Sequence, residues 1–146
     1  MTLEELLQIS MDQVPNDESF IESLLQQVQA KLDAIDSFDP STEPLEKKLL
    51  KLKFQLIYKI VIIRGDFDYD LIVMHEIKKV HHFSADQLKS ALFEINEVLL
   101  FAKKTPLNIE NLAGKIKNIK KTRKLFKKML KTKIGLWHYF RYLFRR

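Results

Sequence analysis

Apolar residues recur every three or four positions along most of this chain, which is the spacing of one face of an α-helix. Stripes of this kind run through residues 20–35, 45–63, 88–102 and 109–130. Proline-containing loops separate several of them, most clearly at residues 39–44 and at Pro106. The pattern predicts an all-α protein, a single-domain antiparallel helical bundle of about six helices that spans residues 1–146.

Polar residues at the borders of the stripes predict where the helices begin. Thr2–Glu5 and Ser84–Gln87 have the spacing of a capping box, in which two side chains satisfy backbone N–H groups at a helix start. The first helix is expected to end before Pro15. Single capping residues are expected at Asn16 or Asp17, at Asp68 or Asp70, and at Asn108.

The stripe through residues 45–63 is the most apolar and predicts the third helix, Leu45–Arg64, as the central and most buried one. Its second half, Phe54–Ile63, is rich in β-branched and aromatic residues, so a β-strand is the alternative there. The length of the stripe and the lysines that precede it favour a helix. Gly65 is expected to end this helix in a left-handed conformation.

The composition is typical of a folded, helix-rich protein. Apolar residues make up 46% and charged residues 30% of the chain, and 3 Gly and 4 Pro are few for a fold with many turns. The absence of Cys excludes disulfides and zinc–thiolate sites. The acidic N-terminus lacks a signal-peptide pattern, and no apolar stretch reaches the ~20 residues that span a bilayer. The expected location is cytoplasmic, either free or peripheral at a membrane.

Motifs for catalysis or metal binding are weak. Asp66–Asp70 alternates carboxylates like a calcium loop, but Leu71 and Ile77 stand where that loop needs Gly and a bidentate Glu. His75–Lys79 begins like a zinc-protease helix, yet Lys79 stands where the second His is required. Glycine-rich phosphate loops and serine-nucleophile motifs are missing. The sequence therefore predicts no cofactor, no metal site and no catalytic residue, and so a protein that is not an enzyme.

Charge is divided unevenly between the two ends of the chain. Residues 103–146 contain 15 Lys or Arg and one acid, whereas residues 1–44 contain ten acids and one base. Several cations of the predicted sixth helix have the i,i+4 spacing at which like charges repel. An anionic partner would relieve that repulsion, as would acidic N-terminal helices packed beside it. The residues expected to contact an anionic partner are Lys120, Arg123, Lys124, Lys127, Lys128 and Lys131.

Residues 134–146 form an aromatic and basic tail. Gly135 is expected to interrupt or bend the helix before it. A helical wheel places Leu136, Trp137, Phe140, Leu143 and Phe144 on one face, and His138, Arg141, Tyr142 and Arg145 on the other. Trp and Tyr favour the headgroup region of a bilayer, and basic residues attract anionic lipid. The expected anchor for a membrane or partner consists of Trp137, Phe140, Arg141 and Phe144. The alternative is that the tail folds back and places Trp137 and Phe140 in the core.

These features predict a non-enzymatic binding protein whose basic, aromatic C-terminal surface engages an anionic membrane face or an acidic protein partner. One alternative is nucleic-acid binding, with the same lysines on phosphates and aromatic rings stacked on bases. Another is a helical adaptor or immunity-type protein-interaction module. A further hypothesis is that the acidic N-terminal helices mask the basic surface until a partner displaces them.

Overall fold

The computed structural model describes residues 1–36, 38–66 and 84–144. All regular structure in these ranges is helical, which confirms the all-α class. The described helices are α1 Leu3–Leu7, α2 Glu18–Asp33, α3 Glu43–Arg64, α4 Ala85–Lys104 and α5 Leu112–Phe144, with a short 3₁₀ helix at Pro40–Thr42. The helix predicted to begin at Asp68 or Asp70, together with the motif His75–Lys79, lies outside the described residues.

Helix starts follow the predicted capping residues at three places. Capping boxes form at Thr2–Glu5, where α1 begins, and at Ser84–Gln87, where α4 begins. At the start of α2 the cap is Asp17, whose side chain accepts a hydrogen bond from the backbone N–H of Ser19 at 3.0 Å. Each cap satisfies N–H groups that have no partner inside the helix, so neighbouring residues alone determine these starts.

The start of α5 corrects one prediction. The sequence predicts Asn108 as the capping residue, but the helix begins at Leu112. Asn111 has a positive φ of 54°, and its carbonyl accepts a hydrogen bond from the backbone N–H of Lys115 at 3.1 Å. The carbonyl of Asn108 instead accepts a hydrogen bond from the side chain of Asn16. Ile109 is buried, and its packing into the core holds this segment in a loop before the helix can begin.

Helix α3 lies at the centre of the described fold and packs against α1, α2, α4 and α5. The predicted central helix is therefore confirmed, and the alternative of a β-strand at Phe54–Ile63 is wrong. Its buried residues recur at helical spacing and face several neighbours at once. They are Leu49, Leu52, Leu56, Ile57, Lys59, Ile60, Val61 and Ile62.

Two residues that are far apart in sequence, Gly65 and Lys115, terminate α3. Gly65 adopts the predicted left-handed conformation, with φ of 68°. Lys115 of α5 donates a hydrogen bond from Nζ to the carbonyl of Ile63 at 2.7 Å. A Cβ on residue 65 would lie 2.7 Å from Cγ of Lys115, so both the backbone angle and this close approach require glycine. A cation here is also favoured by the partial negative charge of the helix C-terminus.

Helices α2 and α3 form an antiparallel pair. Nε of Arg64, at the end of α3, donates to Oε1 of Glu18, at the start of α2, at 2.6 Å. Further along, Nζ of Lys53 donates to Oε1 of Gln29 at 2.9 Å. Both contacts join the two helices, and in each the cation lies against an opposite or neutral partner.

Helices α4 and α5 form a second antiparallel pair. Asn96 of α4 contacts Arg123 of α5, and Lys89 near the start of α4 lies beside Tyr142 near the end of α5. α5 packs mainly on α4, whereas α2 packs mainly on α3. The acidic α2 and the basic α5 therefore have different principal neighbours.

Candidate anionic-surface site

Helix α5 carries the main concentration of positive charge. Between Leu112 and Phe144 it contains 11 Lys or Arg and no acidic residue. Most of the lysines follow one another at a spacing of three or four, which places them on one side of the helix. The exposed residues of this side, which we call the lysine stripe, are Lys117, Lys120, Lys121, Lys124, Lys128 and Lys131.

The structure brings four of the six residues predicted to contact an anion into the lysine stripe, namely Lys120, Lys124, Lys128 and Lys131. The other two are placed differently. Lys127 is half-buried at the border of the stripe. Arg123 is half-buried and directed towards α4, where its Nη1 donates a hydrogen bond to Oδ1 of Asn96 at 3.3 Å. Arg123 therefore lies on a separate surface, the groove between α4 and α5.

The lysine stripe lacks ionic partners among the residues that the structure describes. No carboxylate in residues 1–36, 38–66 or 84–144 lies within ion-pairing distance of its lysines; Glu18 pairs with Arg64, and Glu43 pairs with Lys47. Lysines spaced i,i+4 along the stripe repel by about 0.2–0.5 kcal/mol per pair. Helix α2 packs mainly on α3, so its acids have a different principal neighbour from the stripe.

The tail packs on the core through a face that the helical wheel does not identify. Tyr139 is buried, and Tyr142 and Leu143 are half-buried against the core. Trp137, Phe140 and Phe144 are 69%, 45% and 87% exposed. The alternative that places Trp137 and Phe140 in the core is therefore wrong.

Gly135 determines how the tail leaves the rest of α5. Its φ of 80° and ψ of 161° are not helical and lie in a region that glycine adopts readily, so the predicted interruption is confirmed. A Cβ on this residue would meet no atom within 4 Å, so backbone conformation alone requires the glycine. The exposed apolar residues that follow it, which we call the tail patch, are Leu136, Trp137, Phe140 and Phe144.

Cations accompany the aromatic rings of the tail. Cζ of Arg141 lies 5.6 Å from the ring centroid of Trp137, and Nζ of Lys131 lies 5.5 Å from the ring centroid of Tyr139. Both distances are typical of cation–π contacts. Because Lys131 belongs to the lysine stripe, its contact with Tyr139 joins the stripe to the tail. Three of the four predicted anchor residues thus belong to the tail patch, and the fourth, Arg141, lies against it.

Sequence reasoning missed the role of Lys59. This side chain is almost fully buried in α3, and its Nζ donates hydrogen bonds to the carbonyls of Met11, at 2.8 Å, and Val14. Burial lowers the pKa of Lys59, and the nearby charge of Asp12 opposes that change. A signal was present, since Lys59 stands seven residues after Leu52 and three after Leu56, on the apolar seam of α3. The lysine fastens the loop between α1 and α2 to the central helix.

A half-buried polar contact lies between α3 and α4. The hydroxyl of Tyr58 donates to Oε2 of Glu94 at 3.1 Å. Burial raises the pKa of the Glu94 carboxyl, which the bond from Tyr58 partly offsets and the charge of Glu97 reinforces. The pKa of Tyr58 is also raised, mainly by burial and secondly by the negative charge of Glu94. This pair is a packing contact whose carboxylate is disfavoured by its surroundings.

Comparisons with protein-family models, with curated proteins and with solved structures give no match to this chain. Among the helices of the described residues, none combines the length and the apolar character needed to cross a bilayer. The same part of the chain brings together no group of three acidic or His side chains that could hold a metal ion.

Proposed function

We propose that this protein is a non-enzymatic binding protein that attaches to an anionic membrane face, acting in the cytoplasm at the membrane periphery. The lysine stripe would attract the lipid headgroups, and the tail patch would enter the interfacial region. We also propose that the whole chain folds as an antiparallel bundle of about six helices, and that its C-terminal helix is basic and amphipathic. The observation that carries it is that an exposed aromatic patch follows the cationic stripe on the same helix: Lys131 of the stripe lies over the buried ring of Tyr139, whose centroid is 6.4 Å from that of Phe140 in the patch.

The chemistry of the two surfaces favours a bilayer over other anionic partners. An anionic lipid surface attracts a nearby Lys or Arg by about 1 kcal/mol each, and Trp is favoured at the headgroup level. A nucleic acid would engage the lysines and would stack bases on the exposed rings, but it would leave the aliphatic side chain of Leu136 in water. An acidic protein would need an apolar recess matched to the tail patch. A bilayer accommodates both surfaces with no special shape, which makes it the partner that uses the most of what is exposed.

Vesicle co-sedimentation tests the proposal directly. We expect the full chain to sediment with vesicles that contain phosphatidylglycerol in phosphatidylcholine, and to remain in solution with phosphatidylcholine alone. Trp137 is the chain's single tryptophan, so its emission should shift to shorter wavelength with the anionic vesicles as its ring leaves water. Binding should weaken with added salt, because the attraction to the headgroups is screened.

The role of the tail patch can be tested with matched aromatic substitutions. Phe140 and Phe144 are 45% and 87% exposed, and Phe20 and Phe38, elsewhere on the surface, are 42% and 94% exposed. The double variant Phe140→Ala/Phe144→Ala should bind anionic vesicles at least about tenfold more weakly than the wild type, because it loses apolar area that enters the interface. The control Phe20→Ala/Phe38→Ala removes a similar exposed area and should bind as the wild type does.

The role of the lysine stripe can be tested with two variants that have the same net charge as each other. The variant Lys124→Gln/Lys128→Gln/Lys131→Gln should lower the partition coefficient by about two orders of magnitude, from about 1 kcal/mol per lysine. The control replaces three exposed lysines of α3 by Gln, namely Lys47, Lys48 and Lys51. Equal losses in the two variants would show that total charge, and not this surface, governs binding.

Nucleic acid is the competing outcome. A protein of that class would hold duplex or single-stranded DNA at physiological salt, with the logarithm of its affinity falling steeply with the logarithm of salt concentration. Retention of DNA under those conditions, combined with failure to sediment with anionic vesicles, would overturn the membrane proposal. Binding to neutral and anionic vesicles alike would overturn it as well, since the lysine stripe would then have no part in attachment.

A further inference from the structure

A groove between α4 and α5 combines an apolar floor with a cationic rim. Its volume is about 450 Å³. The floor consists of Leu99, Leu100, Ala102 and Ile116, and the rim carries Lys103, Lys120 and Arg123. Asn96 completes the lining, and no carboxylate contributes to it. The neighbouring cavity between α3 and α4 differs, because Glu97 lies among its lining residues.

Arg123 is the central residue of this groove. It occupies a position on the apolar seam of α5, between Ile116 and Phe126, where a cation is costly to place. Its contact in the groove is the neutral amide oxygen of Asn96, which orients the guanidinium without cancelling its charge. A guanidinium has five N–H donors in a planar fork, so several stay available for a phosphate group. A half-buried cation with a neutral partner therefore suits an anionic ligand.

The groove also opens towards the proposed membrane-binding surface. Lys120 belongs both to its rim and to the lysine stripe. Lys103 approaches from the last turn of α4, so the three cations of the rim come from two helices. Cations on the rim and aliphatic side chains on the floor match a molecule with an anionic head and an apolar chain.

We propose that this groove binds one anionic lipid molecule, with its phosphate against Arg123, Lys103 and Lys120 and its acyl chain along Leu99, Leu100 and Ile116. The inference rests on the proposed function for the source of the lipid, which is the membrane that the stripe and the tail patch engage. It adds a defined headgroup site to a surface that otherwise attracts any negative charge. The phosphate of phosphatidic acid is a terminal monoester that carries no further headgroup. Because it is unshielded, this phosphate suits the planar fork of Arg123 best.

The test uses a lipid that is soluble without a bilayer. Dihexanoyl phosphatidic acid is titrated into the full chain and followed by calorimetry, with dihexanoyl phosphatidylcholine and inorganic phosphate as the comparison ligands. We expect the phosphatidic acid to bind at least about tenfold more tightly than either comparison ligand, because it alone offers both an unshielded phosphate and an apolar chain. Equal binding of inorganic phosphate would overturn the proposal, since the apolar floor would then contribute nothing.

Matched variants locate the site. Lys103→Gln/Lys120→Gln keeps the contact of Arg123 with Asn96 and should weaken soluble phosphatidic acid by about tenfold or more. Arg123→Lys keeps the charge but removes the planar fork, and should also weaken it. The control Lys121→Gln/Lys128→Gln removes the same charge from the outer side of α5 and should bind within about twofold of the wild type. Circular dichroism and thermal unfolding check that each variant is folded.

The results separate this inference from the proposed function. If anionic vesicles bind but soluble phosphatidic acid does not, or if the groove and control variants weaken equally, the headgroup site is wrong and membrane attachment stands. If soluble phosphatidic acid binds and the groove variants abolish that binding, while anionic vesicles fail to sediment the protein, the groove is supported and membrane attachment is wrong.

Discussion

Charged side chains serve opposite purposes in the α2–α3 pair and in helix α5. In the first region, Arg64 pairs with Glu18, Lys53 donates to Gln29, and Lys59 donates to backbone carbonyls. In the second, the lysine stripe points to solvent with no described carboxylate in ion-pairing distance. These three cations hold helices and a loop together, so their loss should reduce stability. Apart from Lys131, which lies over the ring of Tyr139, the side chains of the stripe make no hydrogen bond, ion pair or ring contact within the described residues, so their loss should change binding more than stability.

Replacing Lys59 should have the largest effect on stability. Lys59→Met preserves most of the side-chain volume but leaves the carbonyls of Met11 and Val14 without their donor. We expect a loss of about 3 kcal/mol in the free energy of unfolding, because two buried acceptors lose a charge-assisted hydrogen bond. Urea unfolding followed by circular dichroism measures it. Lys51→Met, at an exposed position of the same helix, is the control and should stay within about 0.5 kcal/mol of the wild type.

The tail gives the next largest effect, and it separates the two faces of one short segment. Tyr139 is 8% exposed and Trp137 is 69% exposed. Tyr139→Ala should lower the free energy of unfolding by about 2 kcal/mol, as expected for a buried ring at the edge of the core. Trp137→Ala should change it by no more than about 0.5 kcal/mol, while weakening attachment to anionic vesicles. Equal losses of stability in these two variants would place Trp137 in the core and contradict the tail patch.

Features that depend on neighbouring residues could be predicted from the sequence. The capping boxes at Thr2–Glu5 and Ser84–Gln87, the cap at Asp17 and the left-handed Gly65 all follow from short-range hydrogen bonds and backbone sterics. The all-α class follows from the period of the apolar residues. These properties need no knowledge of what packs against what.

Features that depend on distant residues could not be predicted. Asn108 has a favourable type for a cap, but the burial of Ile109 moves the start of α5 to Leu112. The tail contains apolar residues on most sides, so its pattern does not reveal that Tyr139 is the ring that packs inwards. In the sequence Arg123 is one cation among many lysines. Its contact with Asn96 depends on how α4 packs against α5, which the sequence pattern does not reveal.

A charge reversal in the lysine stripe should raise stability while it weakens binding. Lys124→Glu turns the repulsions with Lys120 and Lys128 into attractions, since both lie at i,i+4 spacing. We expect a gain of about 1 kcal/mol in the free energy of unfolding at low salt, which should fade as salt screens the charges. The same change should weaken binding to anionic vesicles by roughly 30-fold, from about 2 kcal/mol for a two-unit charge reversal. A loss of stability would mean that Lys124 supports the fold, as the cations of the α2–α3 pair do.

The smallest effect concerns Glu94, an acid that lies in neither of the two contrasted regions. Its pKa is raised by burial, so the fold favours the protonated carboxyl, and that contribution is present at acid pH and lost as pH rises through the raised pKa. Glu94→Gln keeps an acceptor for the hydroxyl of Tyr58 without a charge. We expect the variant to be more stable than the wild type at pH 7, by less than about 1 kcal/mol because the carboxyl is only half-buried, and the difference to shrink towards acid pH. Thermal unfolding between pH 7 and acid pH measures this difference in stability, with Glu22→Gln at an exposed position as the control. A wild type that is the more stable protein at pH 7 would show that the ionised form of Glu94 is favoured, and that this acid belongs with the paired charges of α2 and α3.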